Sequence, residues 1–226
     1  MVDEADMIVL KSLARLVGTL LAVPHRVGFI CATLLLGRHR AFAASSERVA
    51  RAAGFLGCAM RQGYYSAVLE HVGCDVHFGF MSLFSKSRAR VGDRVYIGRF
   101  CTIGWVGLGD DVLLADGAQV LSGRHQHLGS DGLGPDRGAP QFAQVTIGRG
   151  AWIGAGAVVM ADVGEDAIVG AGAVVTRPVQ ARAKVAGCPA RLIGMVSVRG
   201  DEHPPEVDRS AHGGPVPISP VRSRSA

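Results

Sequence analysis

The stretch VGDRVYIGRFCTIG, residues 91–104, repeats one short pattern in which an aliphatic residue followed by glycine returns every six positions. Its pairs are Val91-Gly92, Ile97-Gly98 and Ile103-Gly104. A period of six fits neither a helix nor a single strand, whose side chains repeat every ~3.6 and ~2 residues. It indicates short strands joined by tight turns, with three units closing a triangular coil and coils stacked about 4.8 Å apart.

The same period returns further along, at Ile147-Gly148, Ile153-Gly154, Val163-Gly164, Val169-Gly170 and Val175. A small residue follows most of these aliphatics four positions later: Cys101, Ala118, Ala151, Ala157, Ala167 and Ala173. We expect the aliphatic to fill the prism, the small residue to fit beside it, and glycine to permit corner conformations that a Cβ would obstruct. Cys101 is thus predicted to be a wall residue rather than a reactive thiol. The short steps from Ile103 to Leu108 and from Val159 to Val163 predict trimmed corners.

Over roughly residues 72–196 the hexads resemble the left-handed parallel β-helix of the hexapeptide acyltransferases. The resemblance implies a mainly β fold. The sequence pattern adds an N-terminal helical segment over 1–71 and a C-terminal tail over 197–226, which has too few apolar residues to fold alone and is predicted to be disordered. The resemblance also supplies the handedness, because left-handed crossovers break the usual rule. Such solenoids occur in carbonic anhydrases and nucleotidyltransferases too, so the repeat alone does not decide the chemistry.

The hexads stop after Val120, and the segment RHQHLGSDGLGPDRGAPQFAQ, residues 124–144, intervenes. It is rich in Gly, Pro and Asp, so it is predicted to be a loop excursion of the length usually kept for function. The acetyltransferases that act on galactosides and maltose, which this chain resembles, place their catalytic histidine at this step. The resemblance implies that His125 is the general base, with His127 as a support, a substrate contact or the alternative base.

Acyl transfer from a thioester to an alcohol requires removal of the alcohol proton while its oxygen attacks. A neutral imidazole with a pKa near ~6.5 suits this task, and a general base contributes about 10²–10⁴ in rate. The resemblance implies direct transfer in a ternary complex, with acetyl-CoA or another acyl-CoA as co-substrate.

The resemblance also locates the donor. It implies that Trp152 lies against the acyl donor's arm, that the Ala155 N–H contacts the thioester carbonyl, and that the remaining donor-site residues are Ala173, Thr176, Arg177 and Arg191. The basic residues near the end of the hexads suit the phosphates of coenzyme A. Two alternatives stay open: Trp152 as an outward wall residue, and a solvated basic end.

The acceptor is expected to be a carbohydrate. In GRFCTIGWVGLGDD, residues 98–111, we find no counterpart of the Asn and Asp with which the galactoside and maltose enzymes grip a hexose. The N-terminal helices, GRHRAF (37–42) and FGFMSLFS (78–85) are closer to the exopolysaccharide and colanic-acid branch, which acylates sugar hydroxyls on glycans. In this family the donor groove lies between solenoids, so the resemblance also implies a homotrimer.

The N-terminal stretch 7–37 is apolar, and it begins with an amphipathic helix that Pro24 should end or kink. The apolar face of this helix consists of Leu10, Leu13, Leu16, Val17, Leu20 and Leu21. It is predicted either to lie on an anionic membrane surface or to pack on the domain or a neighbouring subunit. No cleavable signal peptide is indicated. A further helix is predicted over 45–70, with Ser45 or Ser46 as its N-cap.

Composition narrows the partners. The formal net charge is +5 and the 24 Lys and Arg are scattered, so no nucleic-acid partner is expected. The 5 cysteines form no CxxC pair, which favours a reducing cytoplasm, with attachment to the inner face of the membrane left open. No metal is expected, because the pair His125 and His127 lacks a third ligand. The rival functions are a metal-dependent hydratase of the carbonic anhydrase type and a non-catalytic scaffold that binds glycans or proteins.

Overall fold

The computed structural model describes residues 4–123 and 142–197. Three helices come first: α1 Glu4–Leu36, α2 Arg38–Ala50 and α3 Gly54–Val68. A solenoid of short strands follows, from His71 to Met195. The chain divides into two compact units after Val196, and of the second unit only Ser197 is described. The disorder of the tail therefore stays a prediction.

The strands form three sheets, one on each face of a prism. Face A contains β1 His71–Val72, β4 Arg90–Val91, β7 Val106–Leu108 and β10 Val145–Ile147. Face B contains β2 His77–Phe78, β5 Tyr96–Ile97, β8 Leu113–Leu114, β11 Trp152–Ile153, β13 Ile168–Val169, β15 Ala183–Ala186 and β16 Arg191–Met195. Face C contains β3 Leu83–Phe84, β6 Thr102–Ile103, β9 Gln119–Val120, β12 Val158–Val159 and β14 Val174–Val175. Neighbouring strands run parallel until β16, which pairs antiparallel with β15.

The hexad pattern is confirmed as a β-helix of about 5 turns, consistent with a left-handed one. The aliphatic residues stack in register along each face and are buried; on face B the ladder is Phe78, Ile97, Leu114, Ile153, Val169 and Val185. Cys101 is fully buried among the small residues, and burial raises the pKa of its thiol to about 11. Its prediction as a wall residue is confirmed.

Where a glycine follows an inward aliphatic, it is required for a reason other than the expected corner conformation. A Cβ on Gly154 would lie 2.5 Å from the Ala171 amide nitrogen of the next coil, and one on Gly98 would lie 2.7 Å from the Asp116 nitrogen. Neither glycine has a positive φ. The constraint is therefore the close approach of stacked coils.

Every shortened step falls on the edge where face C passes to face A. The step from Ile103 to Leu108 lies there, as does the step from Val159 to Val163, which bridges to Ile147. The excursion also leaves at this edge, between β9 and β10. The other two edges keep the regular hexad, so this edge is where the chain varies without disturbing the stack.

The helices α2 and α3 close the N-terminal end of the solenoid. The Tyr65 ring packs against the rings of Phe78 and Phe84, each at 5.0 Å between centroids. Ser46 Oγ lies 2.8 Å from the Tyr65 hydroxyl and accepts a hydrogen bond from the Phe84 amide at 3.2 Å. The expected single helix over 45–70 is therefore wrong in its bounds, and Ser45 and Ser46 are buried inside α2 rather than capping it.

Helix α1 runs through Pro24, so the predicted end at this residue is wrong, while the alternative of a kink stays a prediction. Packing on α2 and α3 compensates for the backbone hydrogen bond that proline cannot donate. The approach is close: a Cβ on Gly18 would lie 2.2 Å from the Ala59 carbonyl oxygen. In the described residues one segment, Arg15–Leu36, is long and apolar enough to span a membrane, by length and composition only.

Candidate functional site

The excursion begins and ends at a narrow neck. The Ala143 amide donates to the Ser122 carbonyl at 3.1 Å, and the Val145 amide donates to the Trp105 carbonyl at 3.1 Å. The Trp105 amide in turn donates to Ser122 Oγ at 2.7 Å. These bonds hold both ends of the loop against the coil that precedes it.

The predicted base His125 and its neighbour His127 lie outside the described residues. In sequence His125 follows Gly123, the last described residue before the loop, by two positions. The roles of both histidines stay predictions.

A ladder of side-chain caps runs along the corners of the first coils. Asp116 Oδ1 accepts from the Arg99 amide at 2.7 Å, and Asp93 Oδ1 accepts from the Cys74 amide at 2.7 Å. In each case the acceptor belongs to the next coil and lies two residues after an inward aliphatic. Such caps satisfy corner amides that have no backbone acceptor.

The ladder on this edge ends with Asp116, because Ala155, the residue at the same position one coil further, offers no acceptor to the Asp116 amide. The register of β11 and β13 places Ala171 where Asp116 stands relative to Arg99, and alanine offers no acceptor. Within residues 4–123 and 142–197 the Ala155 amide donates to no protein acceptor, while its carbonyl accepts from Gly172 at 2.8 Å. Ala155 is exposed, so its N–H is a donor open to a ligand. A donor fixed in advance is what stabilises a developing oxyanion.

Trp152 lies on β11, three residues before Ala155, and its side chain points outward and is 50% exposed. Its strand neighbours are Leu113 and Ile168. This orientation fits both readings of the residue, as a contact for the donor's arm and as an outward wall residue. The predicted contact stays a prediction.

Thr176, Arg177 and Arg191 come together at the C-terminal end of the solenoid. They line one cavity of about 300 Å³ with Pro178, Gln180 and Leu192. Arg191 donates to the Ala190 carbonyl at 2.9 Å. Within the described ranges neither arginine has a carboxylate partner, so both guanidinium groups can bind an anion.

The structure places Ala173 elsewhere. Its side chain is fully buried in the prism, its amide donates to the Gly170 carbonyl at 3.2 Å, and its carbonyl accepts from Val158 at 2.8 Å. Ala173 therefore offers neither an exposed side chain nor an unpaired backbone group with which to contact the acyl-CoA. It belongs to the small-residue ladder like Cys101.

Sequence reasoning missed a second cavity, of about 520 Å³, between α2 and the edge that carries the excursion. It is lined by Arg38, His39, Lys86, Arg88, Trp105 and Phe142 among others. The basic clusters GRHR and SKSRAR were visible in the sequence, but 47 residues separate His39 from Lys86. Only the docking of α2 on the first coil brings them together.

Among the residues described, no group of three His, Cys, Asp or Glu is placed to hold a metal ion. His77 lies in the described part and is used in packing: its ring stacks on Tyr96 at 4.8 Å between centroids and lies 3.4 Å from Cys58 Sγ. Burial lowers the pKa of His77, the larger cause, and the nearby Arg61 lowers it further. The expectation of no metal stays a prediction.

The fold and the repeat define a hexapeptide-repeat solenoid. Residues 144–177 match the family model described as bacterial transferase hexapeptide (six repeats). The prediction of a hexapeptide-repeat protein is thereby confirmed. No curated protein sequence matches the chain.

Solved structures share the fold. The maltose O-acetyltransferase from Clostridium difficile 630 is 22% identical, with a TM-score of 0.62 over 73% of this chain and 89% of that one. A galactoside acetyltransferase in complex with coenzyme A is 21% identical, with a TM-score of 0.59 over 69% and 80%. A hexapeptide-repeat acetyltransferase from Vibrio cholerae O1 biovar eltor, complexed with acetyl coenzyme A, is 20% identical, with a TM-score of 0.62 over 74% and 92%. At this identity the likeness establishes the fold.

Proposed function

We propose that this protein is an acyl-CoA-dependent O-acyltransferase, with acetyl-CoA as its donor and a hydroxyl group of a sugar or exopolysaccharide precursor as its acceptor. The observation that carries the proposal is the cavity that joins Thr176, Arg177 and Arg191 without a neutralising carboxylate in the described ranges. Guanidinium groups match phosphate oxygens with paired hydrogen bonds, as the nucleotide end of coenzyme A requires. The solved acetyltransferases of the same fold that contain coenzyme A or acetyl coenzyme A support the same donor.

The proposed reaction is direct transfer. The neutral imidazole of His125 removes the acceptor's hydroxyl proton while that oxygen bonds to the thioester carbonyl carbon. The Ala155 N–H donates to the carbonyl oxygen as negative charge develops there. The carbon–sulfur bond then breaks, and the imidazolium returns its proton to the departing thiolate. Trp152 confines the donor's arm, and His127 supports the base or the acceptor.

A homotrimer belongs to this proposal. A prism with flat sides offers faces that ring symmetry can use, and a donor groove between solenoids would combine residues of two copies. Solution mass measured by light scattering tests it. A monomeric mass together with full acyltransferase activity would contradict the trimer.

We also place the protein in the cytoplasm, peripherally attached to the inner face of the membrane through α1. The exposed apolar residues of this helix recur at alternating steps of three and four: Leu13, Leu16, Leu20, Val23, Val27, Ile30 and Leu34. Leu34 is 83% exposed and Leu35 84% exposed, more than a water-facing helix needs. Cosedimentation with vesicles of anionic lipid should fall sharply in L34Q/L35Q, which removes apolar surface without adding charge. Equal cosedimentation would contradict membrane attachment through this stripe, and a loss of self-association in the variant would assign the stripe to another copy.

The central experiment is acceptor profiling by mass spectrometry with acetyl-CoA and candidate glycans. Wild type should add one acetyl group to a glycan, and H125A should lose this activity, whereas H71A changes an exposed histidine of β1 and should keep it. Thiol release that survives in H125A would contradict the assigned base. Stoichiometric zinc with carbon dioxide hydration would favour the hydratase, and no binding of acetyl-CoA would favour the scaffold.

A further inference from the structure

The cavity of about 520 Å³ between α2 and the variable edge, here called the basic pocket, is distinct from the proposed donor site. It shares no residue with the cavity of Arg177 and Arg191. Lys86 and Arg177 occupy the same corner position four coils apart, because the register links Phe84, Ile103, Val120, Val159 and Val175. Four coils correspond to roughly 19 Å. A group bound in the basic pocket is therefore not the one held by Arg177.

The pocket collects cationic side chains without acidic ones. The cations Arg38, Lys86 and Arg88 line it together with the imidazole of His39, and its lining contains no Asp or Glu. In the part of the chain that the structure describes, the ion pairs all lie elsewhere, at Arg15, Arg90, Arg94 and Arg99. Like charges held together in a concavity repel one another, and an anion bound between them relieves the repulsion.

Aromatic rings fix these cations in place. The Arg88 guanidinium lies over the Trp105 ring at 4.4 Å from its centroid, and Lys86 Nζ lies over the Phe142 ring at 3.6 Å. Lys86 Nζ also lies 2.7 Å from His39 Nε2, so the ammonium donates to the imidazole. Contact with a ring face holds a cation without neutralising it, and N–H groups remain for a ligand.

The position of the pocket links it to the acceptor. Trp105 and Phe142 form its wall and also flank the neck from which the loop with His125 extends. The pocket therefore borders the neck, and in sequence His125 follows Gly123 of this neck by two positions. Donors arrive from both α2 and the first coil, from several directions. A phosphate, with three acceptor oxygens, suits such a set better than a carboxylate, which a single arginine can saturate.

We propose that the basic pocket binds a phosphate group of the acceptor, so that the acceptor is a phosphorylated or phosphate-linked sugar. The role of the ligand as an acyl acceptor rests on the proposed acyltransferase function. Binding of a phosphate group in the pocket can be tested independently of that function. The phosphate can come from a soluble sugar phosphate or from a lipid-linked one, and the two arms of the experiment distinguish them.

In the soluble arm, calorimetry compares glucose 1-phosphate with methyl glucoside on the full chain in a phosphate-free buffer. Wild type should bind the phosphate ester at least tenfold more tightly, and K86Q/R88Q should lose about ten- to hundredfold, as expected for charge-assisted hydrogen bonds. The control R40Q/R51Q removes two exposed arginines of the α2 region outside the pocket lining, and it should bind like wild type.

In the lipid arm, phosphatidylcholine vesicles with and without phosphatidic acid are compared in the same way. Extra cosedimentation with phosphatidic acid that K86Q/R88Q abolishes and R40Q/R51Q keeps supports a lipid-linked source. The inference is overturned when neither arm shows binding that depends on Lys86 and Arg88, or when coenzyme A competes with the sugar phosphate. Coenzyme A binding is measured separately in each variant: its absence in wild type refutes the proposed function, and its retention in K86Q/R88Q shows that the fold survives.

Discussion

The uncapped amide of Ala155 gives the first prediction, because a side-chain acceptor caps the equivalent amide of Arg99 and the same cap can be introduced at Ala155. Asp116 caps the Arg99 amide at 2.7 Å from the next coil, and Ala171 has the same relation to Ala155. An A171N variant should place a side-chain oxygen on the Ala155 N–H without adding charge. Ala171 is exposed, so the substitution should leave the fold intact.

The expected loss follows from the donor's role. Removing one oxyanion donor costs about 10²–10³ in kcat, which corresponds to about 2.7–4 kcal/mol of transition-state stabilisation. A171N should therefore lower kcat by about that factor and change the KM for acetyl-CoA little. A171D should lower it further, because its carboxylate adds a negative charge beside the developing oxyanion.

The assay is thiol release from acetyl-CoA with the acceptor found by profiling, together with thermal unfolding. A171L is the matched control, since it adds a similar volume without an acceptor. The reasoning fails if A171N keeps full kcat, or if A171L loses as much as A171N.

The other predictions concern the base, the donor cavity, the core and a buried thiol. H125A should lower kcat by about 10²–10⁴ with little change in acetyl-CoA affinity, measured by steady-state kinetics and calorimetry. R177Q and R191Q should each raise the Kd of coenzyme A about tenfold. Unchanged affinity in both variants would contradict the proposal that this cavity binds the phosphates of coenzyme A. I153A removes most of a fully buried side chain in the face B ladder, so it should cost about 2–5 kcal/mol in the free energy of unfolding, measured with urea. Because the pKa of Cys101 is raised to about 11, its thiol should resist a disulfide reagent at pH 8, where the exposed Cys74 and Cys188 react; prompt labelling of all three would contradict its burial.

The helical segment shows where sequence reasoning reached its limit. The amphipathic pattern before Pro24 correctly predicted a helix. Of the two effects expected of Pro24, an end or a kink, the end is wrong because packing on α3 outweighs one lost hydrogen bond. Ser45 and Ser46 have the composition of N-caps, yet both hydroxyls point at tyrosines of α3. Local propensity could not anticipate either result, since both depend on contacts between helices.

What the sequence determined by itself is the solenoid. A period of six leaves few packings open to the chain, because each buried aliphatic must stack on its counterpart one coil away, and Ile97 on Leu114 is one such pair. The tertiary structure alone decided the rest. It brought His39 beside Lys86 and left Ala155 uncapped because alanine stands at position 171. Such sites form where segments distant in sequence come into contact, and a local sequence pattern does not predict which segments these are.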